Sequence, residues 1–357
     1  MPSRRRLLKM LAGFAAVGAG GWALLRGTRA NAYYQGPLSD HFDGTLFFNP
    51  SGVRPKGPGA FLKWQLGGRS AAAAWPATYP SPFRDRPPVR HEGDGARIAY
   101  VGHASFLIQT RGRNVLVDPV WAAQVGPLSF IGPRRVNEPG IAFEDLPNID
   151  AVLITHNHYD HMDTRAIGQL WQRFRPRVIT PLGNDTILAR EVPGLTATAV
   201  DWDDRIDLGD GLVVHVEPTV HWSARGVGDR RHALWASFVL EAGPNKIYCI
   251  GDTGFADGKS FRRVRERHPE LALALVPIGA YEPRWFMRNN HINPEEAVQV
   301  MRLCGATRAL GHHWGTFRLT DEAVEQPMLD LAAAREAGGI AAEHFPALRP
   351  GEVHIIG

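Results

Sequence analysis

The sequence predicts an α+β protein in which β-sheets are covered by helices. Three observations carry that expectation. Short apolar runs of strand length, separated by tight turns, crowd the stretch from Ala96 to Val117. Helical periodicity appears only later, after Asp163 and again after Asn293. Strand-like segments recur between these helices, and such a mixture buries its apolar faces as layers of sheet and helix.

The 357 residues suffice for one large domain or two ordinary ones. The apolar share, 44%, is that of a folded globular chain. The formal charge of +4 is misleading. Arg4, Arg5, Arg6, Lys9, Arg26 and Arg29 all fall within residues 1–32, which hold no acid; without those six the rest comes to −2. A nearly neutral body argues for no nucleic-acid partner.

Residues 1–32 have the form of a targeting segment. A charged start is followed by an apolar run from Met10 to Leu25, then by the small residues Ala30-Asn31-Ala32 suited to a signal peptidase. Ser3-Arg4-Arg5-Arg6-Leu7-Leu8-Lys9 resembles the twin-arginine export signal. The expected location is therefore exported, periplasmic or membrane-associated. An ordinary secretory signal or an uncleaved anchor is the alternative, though the apolar run is shorter than the ~20 residues of a spanning helix. Cys249 and Cys304 make neither a disulfide framework nor a zinc cluster. Both sit in buried-type segments and are expected to be free, with a single bridge left open by export to an oxidising compartment.

Along the chain, residues 33–94 are rich in Pro and Gly and predict an extended arm with short helices that packs on a core domain over 95–357. Ile98–Val101, Phe106–Thr110 and Asn114–Val117 predict short strands. Ala151–Thr155 is an apolar run that stops at histidine. Asp163 can cap a helix that places Ile167, Leu170, Trp171 and Phe174 on one face. Val178–Thr180, Leu212–Glu217, Trp235–Glu241 and Lys246–Ile250 predict further strands. Asn293-Pro294-Glu295-Glu296 is a helix start, with a cap, a proline in the first turn and two acids at the positive dipole end.

The chemistry concentrates in Thr155-His156-Asn157-His158-Tyr159-Asp160-His161-Met162-Asp163. His156 and His158 alternate, so an extended backbone points both to one side. Neutral imidazole and carboxylate are ligands that zinc accepts. One segment cannot surround two ions, so distant residues must complete the shells. His221, Asp252 and His313 each follow a strand-like run, and a carboxylate such as Asp252, flanked by glycines, can approach closely and bridge. His41, His91, His215, His232, His268, His344 and His354 are read as ordinary surface or hydrogen-bonded histidines.

His156-Asn157-His158-Tyr159-Asp160-His161 is similar to the HxHxDH signature of the metallo-β-lactamase superfamily. Gly102-His103-Ala104, Gly132-Pro133-Arg134-Arg135, Gly251-Asp252-Thr253-Gly254, the run Pro277–Met287, His291, Asn293–Ala297 and His313–Phe317 resemble N-acylphosphatidylethanolamine-hydrolysing phospholipases D and their bacterial relatives. The resemblance spans about residue 41 to the C-terminus. It implies a four-layer αββα sandwich, the metallo-β-lactamase fold, over the catalytic domain 95–357. It implies one zinc held by His156, His158 and His221, a second by Asp160, His161 and His313, and Asp252 bridging both. It makes His291 a substrate contact or proton donor. The export signal departs from the family's intracellular animal enzyme.

The resemblance further implies a zinc-dependent phosphodiesterase of phospholipase D type. Two Zn2+ ions about 3.5–4 Å apart lower the pKa of a shared water toward neutrality, and the hydroxide attacks phosphorus. Imidazole and carboxylate also suit iron or manganese. The expected partners are a phospholipid or other phosphodiester substrate, with peripheral contact to a membrane. Asp163 either orients a ligating histidine or only caps its helix. Tyr281, Trp285, Phe286 and Met287 line an acyl or headgroup groove or pack in the core, and Arg284 meets phosphate or covers surface. The rival readings are a lactonase, nuclease or other hydrolase on this fold, and a non-catalytic zinc-binding protein of the cell envelope.

Overall fold

The computed structural model describes residues 30–67, 73–93, 95–128, 130–226 and 228–357. The export signal expected over residues 1–32 lies, for residues 1–29, outside the described residues.

Two mixed sheets face one another. In the first, β1 (Ala96–Gly102), β2 (Ser105–Thr110) and β3 (Arg113–Val117) form an antiparallel meander. β4 (Ala151–Leu153), β5 (Arg177–Pro181) and β6 (Ala197–Val200) continue parallel to β3. In the second, β7 (Arg205–Gly209), β8 (Leu212–Glu217), β9 (Ser237–Ala242) and β10 (Asn245–Cys249) are antiparallel, and β11 (Leu273–Pro277) and β12 (Ala309–His312) run parallel to β10. The C-terminal β13 (Val353–Ile356) returns to pair with β1.

The central strands read as continuous apolar runs because both faces are buried. In β1, Ile98 and Tyr100 point between the sheets, where they meet residues such as Val214, Phe238 and Leu275. The alternate residues Ala99 and Val101 point outward into a second core under α2 (Thr164–Phe174) and α3 (Asn184–Glu191). Val239, Tyr248 and Val276 of the second sheet do the same under α4 (Lys259–Arg267), α6 (Pro294–Cys304) and α7 (Gln326–Gly338), with the single turn α5 (Arg284–Met287) between α4 and α6. The layers are helix, sheet, sheet, helix, the expected αββα sandwich. The Asn293 capping box is formed: Asn293 Oδ1 accepts from the Glu296 amide at 2.9 Å and Glu296 Oε2 accepts from the Asn293 amide at 3.0 Å. Cys249 and Cys304 are buried and free.

The sequence does not predict β6, β7, β11, β13, α3, α4, α5 or α7. β11 is an unbroken apolar run, in which period gives no signal. β13 is a partly exposed edge strand whose pairing partner lies more than 250 positions away, beyond any local pattern.

The arm is held by aromatic contacts. Phe42 and Phe47 pack with Leu234 and Trp235, and the Phe47 amide donates to the Arg231 carbonyl at 2.9 Å. Further along, α1 (Pro58–Gly67) docks Trp64 against Phe286, ring centroids 4.9 Å apart, and Trp64 Nε1 donates to Asp321 at 2.6 Å. Phe47→Ala is therefore expected to cost about 3–5 kcal/mol, against less than about 0.5 kcal/mol for the exposed Leu38→Ala. Urea unfolding measures both.

Candidate metal centre

Apart from His291, every residue of the candidate site lies just past the C-terminal end of a strand. His103 follows β1 and Asp118 follows β3. The segment 156–161 follows β4, and His221 follows β8. Asp252 follows β10, His291 lies beyond β11, and His313 follows β12. Strands β1, β3 and β4 run in one direction, as do β8, β10, β11 and β12. Their ends meet at one edge of the sandwich.

Two donor sets result. His156, His158, His221 and Asp252 place one ligand-type atom each within 4.8 Å of one another, and so do His103, Asp160, His161 and His313. Asp252 lies between the sets. Its Oδ2 is 3.6 Å from His221 Nε2 and 3.4 Å from His161 Nε2, and its Oδ1 is 3.0 Å from His313 Nε2. All seven residues proposed as ligands from the sequence, His156, His158, Asp160, His161, His221, Asp252 and His313, are thus brought together. His291 joins them, with Nδ1 3.8 Å from Asp252 Oδ2.

The arrangement fits bound cations. His158 Nδ1 faces His156 Nε2 at 2.9 Å and His221 Nε2 at 3.4 Å, and His161 Nε2 faces His313 Nε2 at 3.4 Å. Lone pairs pointed at one another repel unless a proton or cation lies between. A tetrahedral zinc with bonds of about 2.0–2.1 Å sets two imidazole nitrogens roughly 3.3 Å apart.

Hydrogen bonds fix the ring orientations. His221 Nδ1 donates to the Asn290 carbonyl at 3.0 Å, which leaves Nε2 facing the cluster. His161 Nδ1 donates to Asp118 Oδ2 at 2.8 Å, with the same effect on its Nε2. Asp118 also accepts from the Thr155 amide and hydroxyl, both at 2.7 Å, so it anchors the start of the histidine segment. Burial and the neighbouring imidazoles push His156 well below the ordinary histidine pKa. Burial brings His158 down to about 4 and His221 to about 3. These rings are neutral at physiological pH, the form in which an imidazole can accept a cation. Burial opposes charge on His161 too, yet the Asp252, Asp118 and Asp160 carboxylates raise it well above the usual value. Burial works against ionised Asp252, and His313, His161 and His291 outweigh it and hold the carboxyl well below its usual range.

Backbone geometry is also committed to the site. His313 has φ +67°, and the Cβ of an alanine at Gly279 would lie 2.1 Å from the His313 carbonyl oxygen. The site opens into a cavity of about 280 Å³ lined by Val125, Tyr159, Trp222, Met287, Leu319 and His291 among others.

The structure decides several readings that the sequence leaves open. Asp163 touches no histidine. Its Oδ1 accepts from the Arg165 and Ala166 amides, capping α2, and its Oδ2 takes the Trp121 and Ala122 amides. Arg284 faces no open phosphate site. It grips both carboxylate oxygens of Glu296, at 2.9 and 2.7 Å, and donates to the His291 carbonyl at 2.9 Å. Of the four aromatic and apolar groove candidates, only Met287 lines the cavity. Tyr281 is buried with its hydroxyl on Asp330, Phe286 packs on α1, and Trp285 lies on the surface. Two residues were missed. Asp118 and His103 sit outside any histidine cluster in sequence, but the same position at a strand end would have found them. The histidines read as ordinary from the sequence lie elsewhere. His41 sits between Asp40 and Asp201, His215 on Glu241 and His268 on Glu217.

A family model described as a beta-lactamase superfamily domain matches residues 113–314. N-acyl-phosphatidylethanolamine-hydrolyzing phospholipase D 1 of Caenorhabditis elegans is 35% identical over 259 residues, 69% of this chain and 72% of the relative. An uncharacterized protein of Mycobacterium bovis is 34% identical over 352 residues, 93% of this chain and 92% of the relative. Among solved structures, isothiocyanate hydrolase from Delia radicum gut bacteria matches with a TM-score of 0.57 at 19% identity, over 72% of this chain and 98% of that one, a likeness of fold alone.

The hydrogen bonds separate two aspartates by role. Asp118→Ala is expected to weaken metal binding about 10–100-fold. Asp163→Ala is expected to cost roughly 1–2 kcal/mol of stability with the metal stoichiometry unchanged. Elemental analysis beside thermal unfolding reads both.

Proposed function

The chain belongs to the beta-lactamase superfamily, and from that premise we propose a zinc-dependent phosphodiesterase that hydrolyses N-acylphosphatidylethanolamine-like phospholipids in the manner of a phospholipase D. One observation carries the reading: Asp252 lies between two donor sets, its oxygens 3.6 Å from His221 Nε2, 3.4 Å from His161 Nε2 and 3.0 Å from His313 Nε2, and lines an apolar cavity. The activity for which the C. elegans relative is named supplies the substrate class.

His156, His158 and His221 would hold one divalent cation, Asp160, His161 and His313 the other, and Asp252 both. Such a pair of cations supplies Lewis acidity and a nucleophile at neutral pH. The chain's own part is to fix the donors and shape the cavity. Two divalent cations carry four positive charges against the two carboxylates of the donor set, so the floor of the cavity attracts a singly charged phosphodiester. Burial pushes His291 down to about 3, so the ring is neutral. Its Nδ1 has no hydrogen-bond partner among the described residues, and the ring lines the cavity. It is placed to donate a hydrogen bond to the substrate. Trp222, Met287, Leu319 and Val125 keep the surroundings dry, which strengthens each polar contact with the phosphoryl group. Cleavage on the headgroup side gives a phosphatidic acid and an alcohol.

A membrane rim supports a lipid substrate. Phe61, Leu62 and Leu66 on α1 and Trp285 on α5 are 43–80% exposed. The chain from residue 44 to 84 holds Arg54, Lys56, Lys63, Arg69 and Arg84 and no acid. Apolar side chains among cations suit the surface of an anionic bilayer. Because α1 packs on α5, whose Met287 lines the cavity, the rim lies beside the mouth. The signal-like residues 1–32 support a location for this activity outside the cytoplasm, in the periplasm or on a membrane.

A panel of bis-p-nitrophenyl phosphate, a lactone, a β-lactam and an N-acylated phospholipid tests the chemistry. The two phosphodiesters should turn over, and Asp252→Ala or His158→Ala should abolish that turnover in a folded protein. Lactone hydrolysis with negligible phosphodiesterase activity would make the enzyme a lactonase. Inertness toward the whole panel with metal bound would favour the non-catalytic envelope protein. Separately, Leu62→Asp with Leu66→Asp should cut co-sedimentation with phosphatidylglycerol vesicles at least tenfold; unchanged co-sedimentation removes the rim.

A further inference from the structure

His103 plays no part in the ligand assignment above, yet it touches two members of the second donor set. It directly follows β1, is 1% exposed, and has φ +58°, a conformation that a non-glycine residue holds only when its surroundings require it. Its carbonyl oxygen accepts the His313 amide at 2.7 Å and the Tyr100 hydroxyl at 2.8 Å. Its ring lies 4.0 Å from the His313 ring and edge-on to Phe317 at 5.2 Å. Its Nε2 is 2.9 Å from Asp160 Oδ2. An ionised carboxylate can only accept, so Nε2 carries the proton and donates. Nδ1 is then left as a bare lone pair, and it is buried with no hydrogen-bond partner among the described residues.

We propose that His103 is a positioning residue that holds Asp160 through its ring and His313 through its carbonyl, and so sets the affinity of the second cation site. The inference rests on the two-cation reading. A carboxylate ligand free to rotate loses part of its binding energy to the ordering of its own side chain. A buried N–H fixed on one oxygen removes that loss before the cation arrives. The first donor set has no contact with His103, so the effect is one-sided. The competing role is direct ligation, since His103 Nε2 is within 4.8 Å of the Asp160, His161 and His313 donor atoms.

The test titrates the metal-stripped full-length chain with Zn2+ against a chromophoric chelator and records the visible spectrum with Co2+. Wild type should bind two equivalents; fewer would defeat the two-cation reading itself, whatever His103 does. His103→Ala should keep the first equivalent near wild-type affinity and weaken the second about 10–100-fold. His103→Gln, which restores an N–H donor near the same place, should recover most of that loss and keep the wild-type Co2+ spectrum. Two equivalents at wild-type affinity in His103→Ala would overturn the proposal. So would an equal loss at both sites with a lowered melting temperature of the stripped protein, which marks a structural role. A Gln variant as weak as Ala, with an altered Co2+ spectrum, would make His103 a ligand and overturn it too.

Discussion

The structure turns on the burial of charge around Asp252. Its carboxylate and that of Asp160 sit among the rings of His103, His156, His158, His161, His221, His291 and His313, nearly all out of water. An ionised carboxylate in such a place is costly unless opposite charge meets it. Histidine nitrogens facing one another at 2.9 and 3.4 Å compound the problem. Divalent cations resolve both at once. The cluster is therefore poorly explained as structural packing and well explained as a metal centre.

The sandwich exists to make that meeting possible. Parallel strands within each sheet deliver their loops to a common edge, as open sheets generally do with the groups they use for binding. The inter-sheet core from Ile98 to Leu310 keeps the two sets of loops in register. A direct link crosses at the site itself, where the Ala236 amide donates to the Thr155 carbonyl at 2.9 Å. Asp118 then ties Thr155 to His161, so one buried carboxylate couples the end of β4 to the orientation of a ligand-type ring. The N-terminal arm adds a different element, aromatic contacts that pack Trp64 against Phe286 and set Lys63 over the Trp285 ring.

Much of this was legible in the sequence, and the reasons are specific. The 156–161 segment announces itself because three histidines and an aspartate within six positions have no ordinary structural use. His221, Asp252 and His313 were found by a weaker rule, a polar residue at the end of an apolar run. The same rule points to His103 and Asp118, which were passed over because each stands alone in its segment. Their roles depend on partners 57 and 43 positions away, contacts that no local pattern encodes. For the run Pro277–Met287 the sequence leaves groove lining and core packing open, and the structure decides between them. Tyr281 and Arg284 serve internal contacts with Asp330 and Glu296, and only Met287 reaches the cavity. Side-chain direction on one short helical turn cannot be read from composition.

The most direct measurement is anomalous diffraction at the zinc edge from crystals grown with zinc. The account predicts two peaks with Asp252 between them. One should lie about 2 Å from His156, His158 and His221, and the other about 2 Å from Asp160, His161 and His313. A single peak, or two peaks that leave Asp252 uncoordinated, would contradict it.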